Sequence, residues 1–419
     1  MRRTFIHVPI LFALVALVLS ACTQPLAPLT LDPAGPVTVG VGDVVDFSAA
    51  PVPNGVTWSV DGVTGGSAST GAVSTAGAYT APDRVPTEPT VTVTATDPVV
   101  AGRSADAEVT VTANGTLYVY DDVIDVYDDL HAVDGDVAPD RSFTIDGVGT
   151  DEYYDMIIAP ALDVAFITAQ TASPMIFRVP SISSASGNVT DATTFDDNGY
   201  SDPSAVAYDA TRDILYVRLR GGILAFDDAS TAPDGTAPDR VLTGANVGAF
   251  ATEYDVRIEL DVAADRLFLS DPYGDVAVYD DASTIDGDLA PDRTFTVDYA
   301  DLVYLWGAAY DVGRDELYLA DQRTGAAVYV MANASTATGV VAPSRVIGGP
   351  TNPLAEPSQI GYDAANDRLV VILTETGNEG FAVFDDASTV DGDVAPDRLV
   401  SGAQVALDYP YGGYLDPTQ

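Results

Sequence analysis

Short runs of alternating apolar and polar residues, separated by Gly, Pro, Asp and Ser, extend over most of the 419-residue chain. Between residues 37 and 113 these runs are VTVGVGDVVDFSA, VTWSVDG, VTVTATD and AEVTVTA. A period of two over four to eight residues, bounded by turn-forming residues, predicts half-buried β-strands. We therefore expect residues 37–113 to form a small all-β sandwich.

From residue 115 onward the pattern becomes a repeat. The phrase FDDASTVDGDVAPDR and its variants end at arginines spaced by 53, 52 and 53 residues, and an earlier copy ends 99 residues before the first of these. Residues 176–195 align with the phrase and fill that gap, which gives six units. The closing arginines, which we expect to be structural, are Arg141, Arg240, Arg293, Arg345 and Arg398.

Each unit also repeats the same pattern before the phrase, as in AVAYDATRDILYVRLRGGILAFDD at residues 205–228. Four strands per unit at a period near 52 predict the blades of a β-propeller. The first unit starts at a second strand, and residues 405–408 match the innermost strands of other units. We therefore predict that residues 115–419 form a six-bladed β-propeller closed by a C-terminal strand at residues 405–408, which hides two sheet edges.

The Asp-rich phrase lacks the ligand spacing of an EF-hand calcium loop, because Ala282 and Thr284 precede Gly287 and Arg293 occupies the last place. In the second unit the Asp pair and the Arg are lost together, since Pro180 and Ser181 replace the acids and Thr193 replaces the Arg. An Arg that closes the loop on carboxylates at its start explains this joint loss. The phrase is therefore interpreted as loop architecture, although a calcium site stays open.

Two resemblances extend this interpretation. Trp58 and the stretch GAVSTAGAYTAP at residues 71–82 resemble bacterial Ig-like domains, in which the Trp packs between the sheets without a disulfide. The stretch DRLFLSDPYGDVAVYDDAS at residues 265–283 resembles the NHL and YVTN-type repeats of bacterial surface proteins. The resemblances imply an Ig-like spacer followed by a surface propeller.

The N-terminus predicts export. Arg2 and Arg3 precede an apolar run at residues 8–19, which is short for a membrane span, and LSAC ends in the only cysteine. LSAC resembles a bacterial lipobox, which implies a signal peptide at 1–21, lipidation of Cys22 and a lipid anchor in a membrane. Residues 22–36 are Pro-rich and predict a tether.

The charge excludes one class of partner. A formal net charge of -44, with 18 basic residues that are all Arg, repels phosphate backbones, so we expect no nucleic acid to bind. The mature chain has one histidine, His131, which leaves a histidine triad or a histidine zinc site without support.

The loops between units vary in sequence and are rich in Tyr and Asp, and function on a regular scaffold is usually placed in such loops. We expect them to surround one mouth, because the aromatics precede inner strands in successive units. The carboxylates would make that mouth acidic and would favour a cationic, sugar or calcium-bridged partner. The candidate ligand-binding residues are Tyr154, Asp155, Tyr254, Asp255, Tyr304, Trp306 and Glu356.

Three functions stay open on these patterns. The first is a monomeric, lipid-anchored scaffold that binds an extracellular protein or glycan without a cofactor. The second is a calcium-dependent hydrolase similar to the gluconolactonase-type propellers, for which Glu259 beside Arg257 is the recognisable part. The third is a structural envelope protein. The ligand, the membrane and the reason for the Asp enrichment do not follow from the patterns.

Overall fold

A computed structural model describes residues 27–419, except for 83–85, 87, 131–132, 149–152, 171–174, 299–303, 323–326, 350–353, 355, 406, 408 and 419. The chain is almost entirely β-structure and divides into two compact units at Thr112 and Ala113. Among the described residues, no helix combines the length and apolarity needed to cross a membrane. The signal-peptide prediction lies outside the described residues.

The first unit has eleven strands in its described residues. Its strands are β1 (Thr30–Asp32), β2 (Val37–Gly40), β3 (Val44–Asp46), β4 (Ser48–Ala50), β5 (Thr57–Val60), β6 (Val63–Thr64), β7 (Gly66–Ser67), β8 (Gly71–Val73), β9 (Ala78–Thr80), β10 (Thr90–Thr96) and β11 (Ser104–Thr112). They form sheets in the orders β2-β11-β10-β5-β6 and β3-β9-β8-β7, together with the pair β1-β4. Alternating residues of these strands are buried in one shared core that contains Trp58 and Tyr79.

The described part of the second unit contains 26 strands. They are β12 (Thr116–Tyr120), β13 (Ile124–Tyr127), β14 (Arg141–Ile145), β15 (Tyr153–Ala159), β16 (Val164–Ala169), β17 (Ile176–Pro180), β18 (Gly187–Val189), β19 (Thr193–Phe195), β20 (Ser201–Asp209), β21 (Ile214–Arg220), β22 (Gly222–Asp227), β23 (Arg240–Leu242), β24 (Arg257–Asp261), β25 (Arg266–Ser270), β26 (Asp275–Asp280), β27 (Arg293–Val297), β28 (Leu305–Asp311), β29 (Glu316–Asp321), β30 (Ala327–Ala332), β31 (Gly339–Val341), β32 (Arg345–Ile347), β33 (Pro357–Asp363), β34 (Arg368–Leu373), β35 (Gly380–Phe384), β36 (Arg398–Ser401) and β37 (Gly412–Asp416).

Short helices are few in this part of the chain. The α-helix α1 spans Ala249–Thr252. Single 3-10 turns lie at Pro160–Leu162, Ile182–Ser184, Ala229–Thr231, Ala282–Thr284 and Ala334–Thr336.

These strands form six sheets within the described residues, each built around four antiparallel strands. We number the sheets in chain order; their orders are β18-β14-β13-β12-β37, β15-β16-β17-β19, β20-β21-β22-β23, β24-β25-β26-β27-β31, β28-β29-β30-β32 and β33-β34-β35-β36. The central strands are buried along almost their whole length, because each sheet packs against a neighbour on both faces.

The contacts run from sheet to sheet and return to the first. The inner strands β15, β20, β24, β28, β33 and β37 each contact the next, and β37 contacts β15. A separate hydrophobic core lies between each pair of successive sheets, and one of these cores joins the sixth sheet to the first. Packing therefore supplies the stability that a chain without disulfides requires.

The predicted closing strand was placed wrongly. The C-terminal segment does pair with the first of the six sheets, but through β37, whose Tyr414 lies opposite Tyr118 of β12. Of the predicted segment 405–408, Val405 is buried between the sixth and first sheets, and residues 406 and 408 lie outside the described residues.

The error has a geometric cause. Only three residues separate β36 from Val405, whereas the shortest comparable connection, from β19 to β20, has five. The residues before Asp416 and those before Asp408 both end in a Leu-Asp pair, so only the length of the preceding loop distinguishes the two candidate closing strands.

Candidate functional site

The repeated phrase is a structural loop in the described residues. Its first Asp accepts hydrogen bonds from the closing Arg, for example Asp280 Oδ2 from Arg293 Nη1 at 2.7 Å. Equivalent ion pairs join Arg141 to Asp128, Arg240 to Asp227 and Arg398 to Asp385. Where the first Asp is absent, Arg345 binds Glu316 at 2.6 Å instead.

The second residue of the Asp pair has a conformational role. Asp281 adopts a left-handed backbone conformation with φ of 54°, and Asp228, Asn333 and Asp386 do the same in their units. Asp and Asn tolerate this conformation better than most residues. The following turn is fixed by the Ser283 hydroxyl, which donates to Asp265 Oδ2 at 2.6 Å.

The later acids of the phrase join neighbouring sheets. Asp286 Oδ1 accepts from the backbone N–H of Val241 in the preceding sheet at 3.1 Å. Three other junctions repeat this contact, between Asp234 and Thr194, between Asp391 and Val346, and between Asp134 and Leu399. We call the loop formed by the repeated phrase the inter-sheet clasp. Its carboxylate accepts a hydrogen bond from a backbone N–H group at the edge of the outer strand of the neighbouring sheet.

The acids that end the inner strands also build turns. Asp209 Oδ1 accepts from the backbone N–H groups of Thr211 and Arg212 at 2.8 and 3.0 Å. Asp311 and Asp363 accept in the same way from the residues two and three positions later. These carboxylates are buried and occupied, so they do not offer a ring of free ligands.

Four of the predicted ligand-binding residues come together where the inner strands begin. A cavity of about 210 Å³, here called the mouth pocket, lies there. Its lining comprises Tyr154, Gln170, Asp202, Pro203, Tyr254, Asp255 and Trp306. The aromatic residues belong to three different sheets or to the loops that precede them, because Tyr154 lies in β15, Tyr254 precedes β24 and Trp306 lies in β28.

Tyr304 lies directly behind this pocket. Its hydroxyl donates to Asp255 Oδ2 at 2.5 Å, and its ring contacts Trp306 with a centroid distance of 6.1 Å. Burial and this hydrogen bond raise the pKa of Tyr304 well above its ordinary value, so the phenol stays protonated. Tyr304 therefore orients Asp255 and Trp306.

An arginine beside the pocket lining, Arg220, was not predicted from the sequence. The guanidinium of Arg220 lies 4.2 Å from the ring centroid of Tyr254 and 3.7 Å from Asp202 Oδ2. Tyr254 remains 48% exposed, so one face of its ring is covered by Arg220 while the side chain still reaches solvent.

Two buried arginines hold the pocket walls. Arg218 donates to the carbonyl oxygens of Phe250 and Glu253 at 2.8 and 2.5 Å, which fixes the segment that leads to Tyr254. Arg257 donates to the carbonyl oxygens of Ser204 and Trp306, on the two neighbouring inner strands. Neither Arg forms an ion pair with a described carboxylate, and burial lowers the pKa of Arg218 to about 10.

The structure places Asp155 away from the predicted acidic mouth. It is 5% exposed, and its carboxylate accepts from the Tyr120 hydroxyl at 2.8 Å and from the backbone N–H groups of Met156 and Val206 at 3.0 and 2.9 Å. Burial raises the pKa of Asp155, and the nearby Arg257 opposes that rise. Its neighbour Tyr154 lines the pocket, and the register of β15 against β16 is irregular between Tyr153 and Asp155.

Glu356 is also absent from the described lining of the mouth pocket. It has a left-handed backbone with φ of 50°, and its carbonyl oxygen accepts from the backbone N–H and the hydroxyl of Thr374 at 3.1 and 2.8 Å. The sequence predicted that Glu356 precedes an inner strand, but it did not predict the turn that Glu356 forms.

A second cavity of about 190 Å³ lies between the inner strands. Asp155, Glu259 and Gln359 contribute polar side chains to its lining. Burial and the neighbouring Asp155 raise the pKa of Glu259 well above its ordinary value. Within the residues that the structure describes, no group of three or more His, Cys, Asp or Glu side chains could hold a metal ion. The gluconolactonase-type alternative therefore gains no support from this cavity.

Three tyrosines beside the mouth pocket escaped the sequence analysis. Tyr411 stacks on Tyr154 with a centroid distance of 5.2 Å, Tyr409 contacts Tyr411 at 5.8 Å, and Tyr273 contacts Tyr304 at 6.5 Å. Tyr409 and Tyr273 flank prolines in the motifs YPY and DPY, which was the available signal. Cys22 and His131 lie outside the described residues.

Comparisons with known proteins add no function. No family model matches the chain, and no curated protein matches it significantly. A structural genomics protein of unknown function from Bacteroides thetaiotaomicron has a similar structure, with a TM-score of 0.47 and 13% sequence identity over 93% of each chain.

Proposed function

We propose that this chain is an extracytoplasmic lipoprotein whose second unit is a six-bladed β-propeller that binds a protein or glycan through the mouth pocket. In this proposal Cys22 carries the lipid, residues 22–36 are the tether, and the first unit is an Ig-like spacer. The protein acts as a monomeric binding scaffold and not as an enzyme.

Sheet order supports the propeller. Six sheets succeed one another along the chain, each has an inner strand, which β37 supplies to the first sheet, and these inner strands contact one another in a closed sequence. The ladder between β12 and β37 pairs the chain end with the first of the six sheets, which is the arrangement that protects the edges of a closed ring.

The observation that carries the binding function is the meeting of three aromatic side chains from three sheets in one pocket. Tyr154, Tyr254 and Trp306 are distant in sequence, yet they line the same cavity with two carboxylates and an amide. Large, stiff aromatic side chains with a few polar groups are typical of binding sites. In contrast, the acids of the repeated clasp already have backbone or Arg partners.

The chain carries its own reporter for a binding test. It has two tryptophans, Trp58 in the core of the first unit and Trp306 in the mouth pocket. In a Trp58→Phe background, ligands from a panel of oligosaccharides and peptides should change the fluorescence of Trp306. Tyr254→Ala should then weaken binding by about 1–3 kcal/mol, measured by calorimetry.

Tyr273→Ala is the matched control. Tyr273 is 60% exposed and lies near the mouth pocket, but it is not among the described lining residues. Equal losses in the two Tyr variants, or binding that ignores both, would place the site elsewhere.

A further inference from the structure

The charges around the mouth pocket narrow the ligand class beyond the proposed function, on which this inference rests. Asp202 is paired with Arg220 at 3.7 Å, and Asp255 accepts a hydrogen bond from the Tyr304 hydroxyl and lies in the field of the buried Arg218. The acidity expected from the sequence is therefore offset by two arginines that lie beside the lining residues.

The aromatic surface is likewise not arranged for a cationic ligand. Arg220 already covers one face of the Tyr254 ring, the position that an ammonium or guanidinium group of a ligand would take. An anionic ligand meets the opposite obstacle, because Asp202 and Asp255 both line the cavity. A cationic group would therefore compete with Arg220 for the ring, and an anionic group would face two carboxylates.

The remaining chemistry suits hydroxyl groups. Asp202 and Asp255 provide hydrogen-bond acceptors and the Gln170 NH2 group provides donors, while the Tyr154 hydroxyl donates to Gln170 Oε1 at 2.7 Å and can still accept. Trp306 and the face of Tyr154 that is not stacked on Tyr411 provide an apolar surface. The volume of about 210 Å³ lies below the roughly 300–1,000 Å³ of pockets that enclose drug-sized ligands, so it has room for one ring-sized group.

We infer that the mouth pocket binds an uncharged sugar ring, as the terminal residue of a neutral glycan. The aromatic faces stack on the ring, and the compensated carboxylates and the amide bind its hydroxyl groups. Arg220 acts as a specificity residue because it cancels the charge of Asp202 and excludes cations from Tyr254.

The test uses sugars that share a ring and differ in charge. N-acetylglucosamine, glucosamine and glucuronic acid form a neutral, cationic and anionic series, and a second series is built on the galactose ring. Binding to the mature protein is measured by calorimetry and by Trp306 fluorescence in the Trp58→Phe background. We expect the neutral member of at least one series to bind most tightly, with an affinity that changes little between low and high salt.

Arg220→Gln supplies the charge test. It leaves Asp202 unpaired and uncovers the Tyr254 ring, so the preference should move toward the cationic sugar by about two- to fivefold, the effect of one partly exposed ion pair. Arg266→Gln is the control, because that Arg pairs with Asp261 and Asp280, neither of which lines the pocket, whereas Arg220 pairs with the lining residue Asp202. Circular dichroism establishes that both variants are folded.

The possible failures are distinguishable. Tighter Trp306-dependent binding of a charged member, or of peptides in place of sugars, would overturn the neutral-sugar inference while the binding function stands. An unchanged preference in Arg220→Gln would remove the role given to Arg220. Absence of any Trp306-dependent ligand across sugars and peptides would overturn the proposed function and this inference with it.

Discussion

Leu415→Ala should destabilise the second unit by about 2–5 kcal/mol, the usual cost of truncating a buried Leu. Leu415 lies in β37, is 6% exposed, and packs with Leu117, Val370 and Ile372 in the core between the sixth and first sheets. The lost methyl groups belong to the strand that joins the chain end to the first of the six sheets, so the substitution weakens the contact between the sixth and first sheets.

The same energy can be expressed as a melting temperature. An unfolding entropy of about 2.1 cal/mol/K per residue over roughly 300 residues converts this loss to a decrease of about 3–8 °C. Trp306 fluorescence in the Trp58→Phe background follows the second unit alone, which avoids mixing the transitions of the two units. Leu289→Ala is the control, since Leu289 is 43% exposed, and it should shift the melting temperature by less than about 1 °C.

A truncation makes the prediction sharper. A chain that ends at Pro410 keeps Val405 but loses β37, and so exposes the edge of β12. We expect the free energy lost with the β12–β37 ladder and its core contacts to exceed a typical unfolding free energy of about 5–15 kcal/mol. The truncated chain should then show no cooperative transition. A cooperative melt of this truncated chain, or equal melting temperatures for Leu415→Ala and Leu289→Ala, would refute the assignment of β37 as the closing strand.

Three further predictions concern the clasp, the anchor and pH. Arg293→Ala should cost about 1–2 kcal/mol of unfolding free energy and leave ligand affinity unchanged, because it removes contacts to Asp280 and the Ser335 carbonyl far from the mouth pocket; urea unfolding and calorimetry measure the two effects. Cys22→Ser should abolish metabolic labelling with fatty acid, and retained labelling would reject Cys22 as the lipid site. Burial raises the pKa of Asp271 to about 6, so the folded state holds its proton longer than the unfolded state and stability falls as pH rises from about 4 to 6; Asp271→Asn should flatten that slope and gain about 1–3 kcal/mol at pH 7 in urea unfolding, whereas an unchanged slope would contradict it.

The sequence predicted local features of the repeat better than its long-range contacts. The joint loss of the Asp pair and the Arg pointed to the ion pair that Asp280 and Arg293 form. The contact between Asp286 and Val241 was not predicted, because the two residues lie in different repeats. The repeated sequence shows which residues each repeat contains, but it does not show which residue of a neighbouring repeat each Asp contacts.

The mouth pocket shows the same limit. Its aromatic residues could be predicted, since Tyr154, Tyr254 and Trp306 lie shortly before or within inner strands, where the loops vary in sequence. Arg220 could not, because it ends a second strand in a stretch that reads as ordinary repeat. The predicted acidity of the mouth counted the carboxylates of the loops and omitted the cation that the neighbouring sheet supplies.

The unusual acidity of the chain follows from the same local chemistry. Only nine of the 62 acidic residues are Glu. The short Asp side chain can accept from backbone N–H groups two or three residues away, as Asp209 does, and Asp tolerates the left-handed backbone, as Asp281 does. The longer Glu side chain fits neither role as well. Repeated units that use Asp for their turns, and in most copies for the ion pair and the inter-sheet contact, therefore account for much of the formal net charge of -44, and the candidate binding residues lie in the loops where the repeat varies.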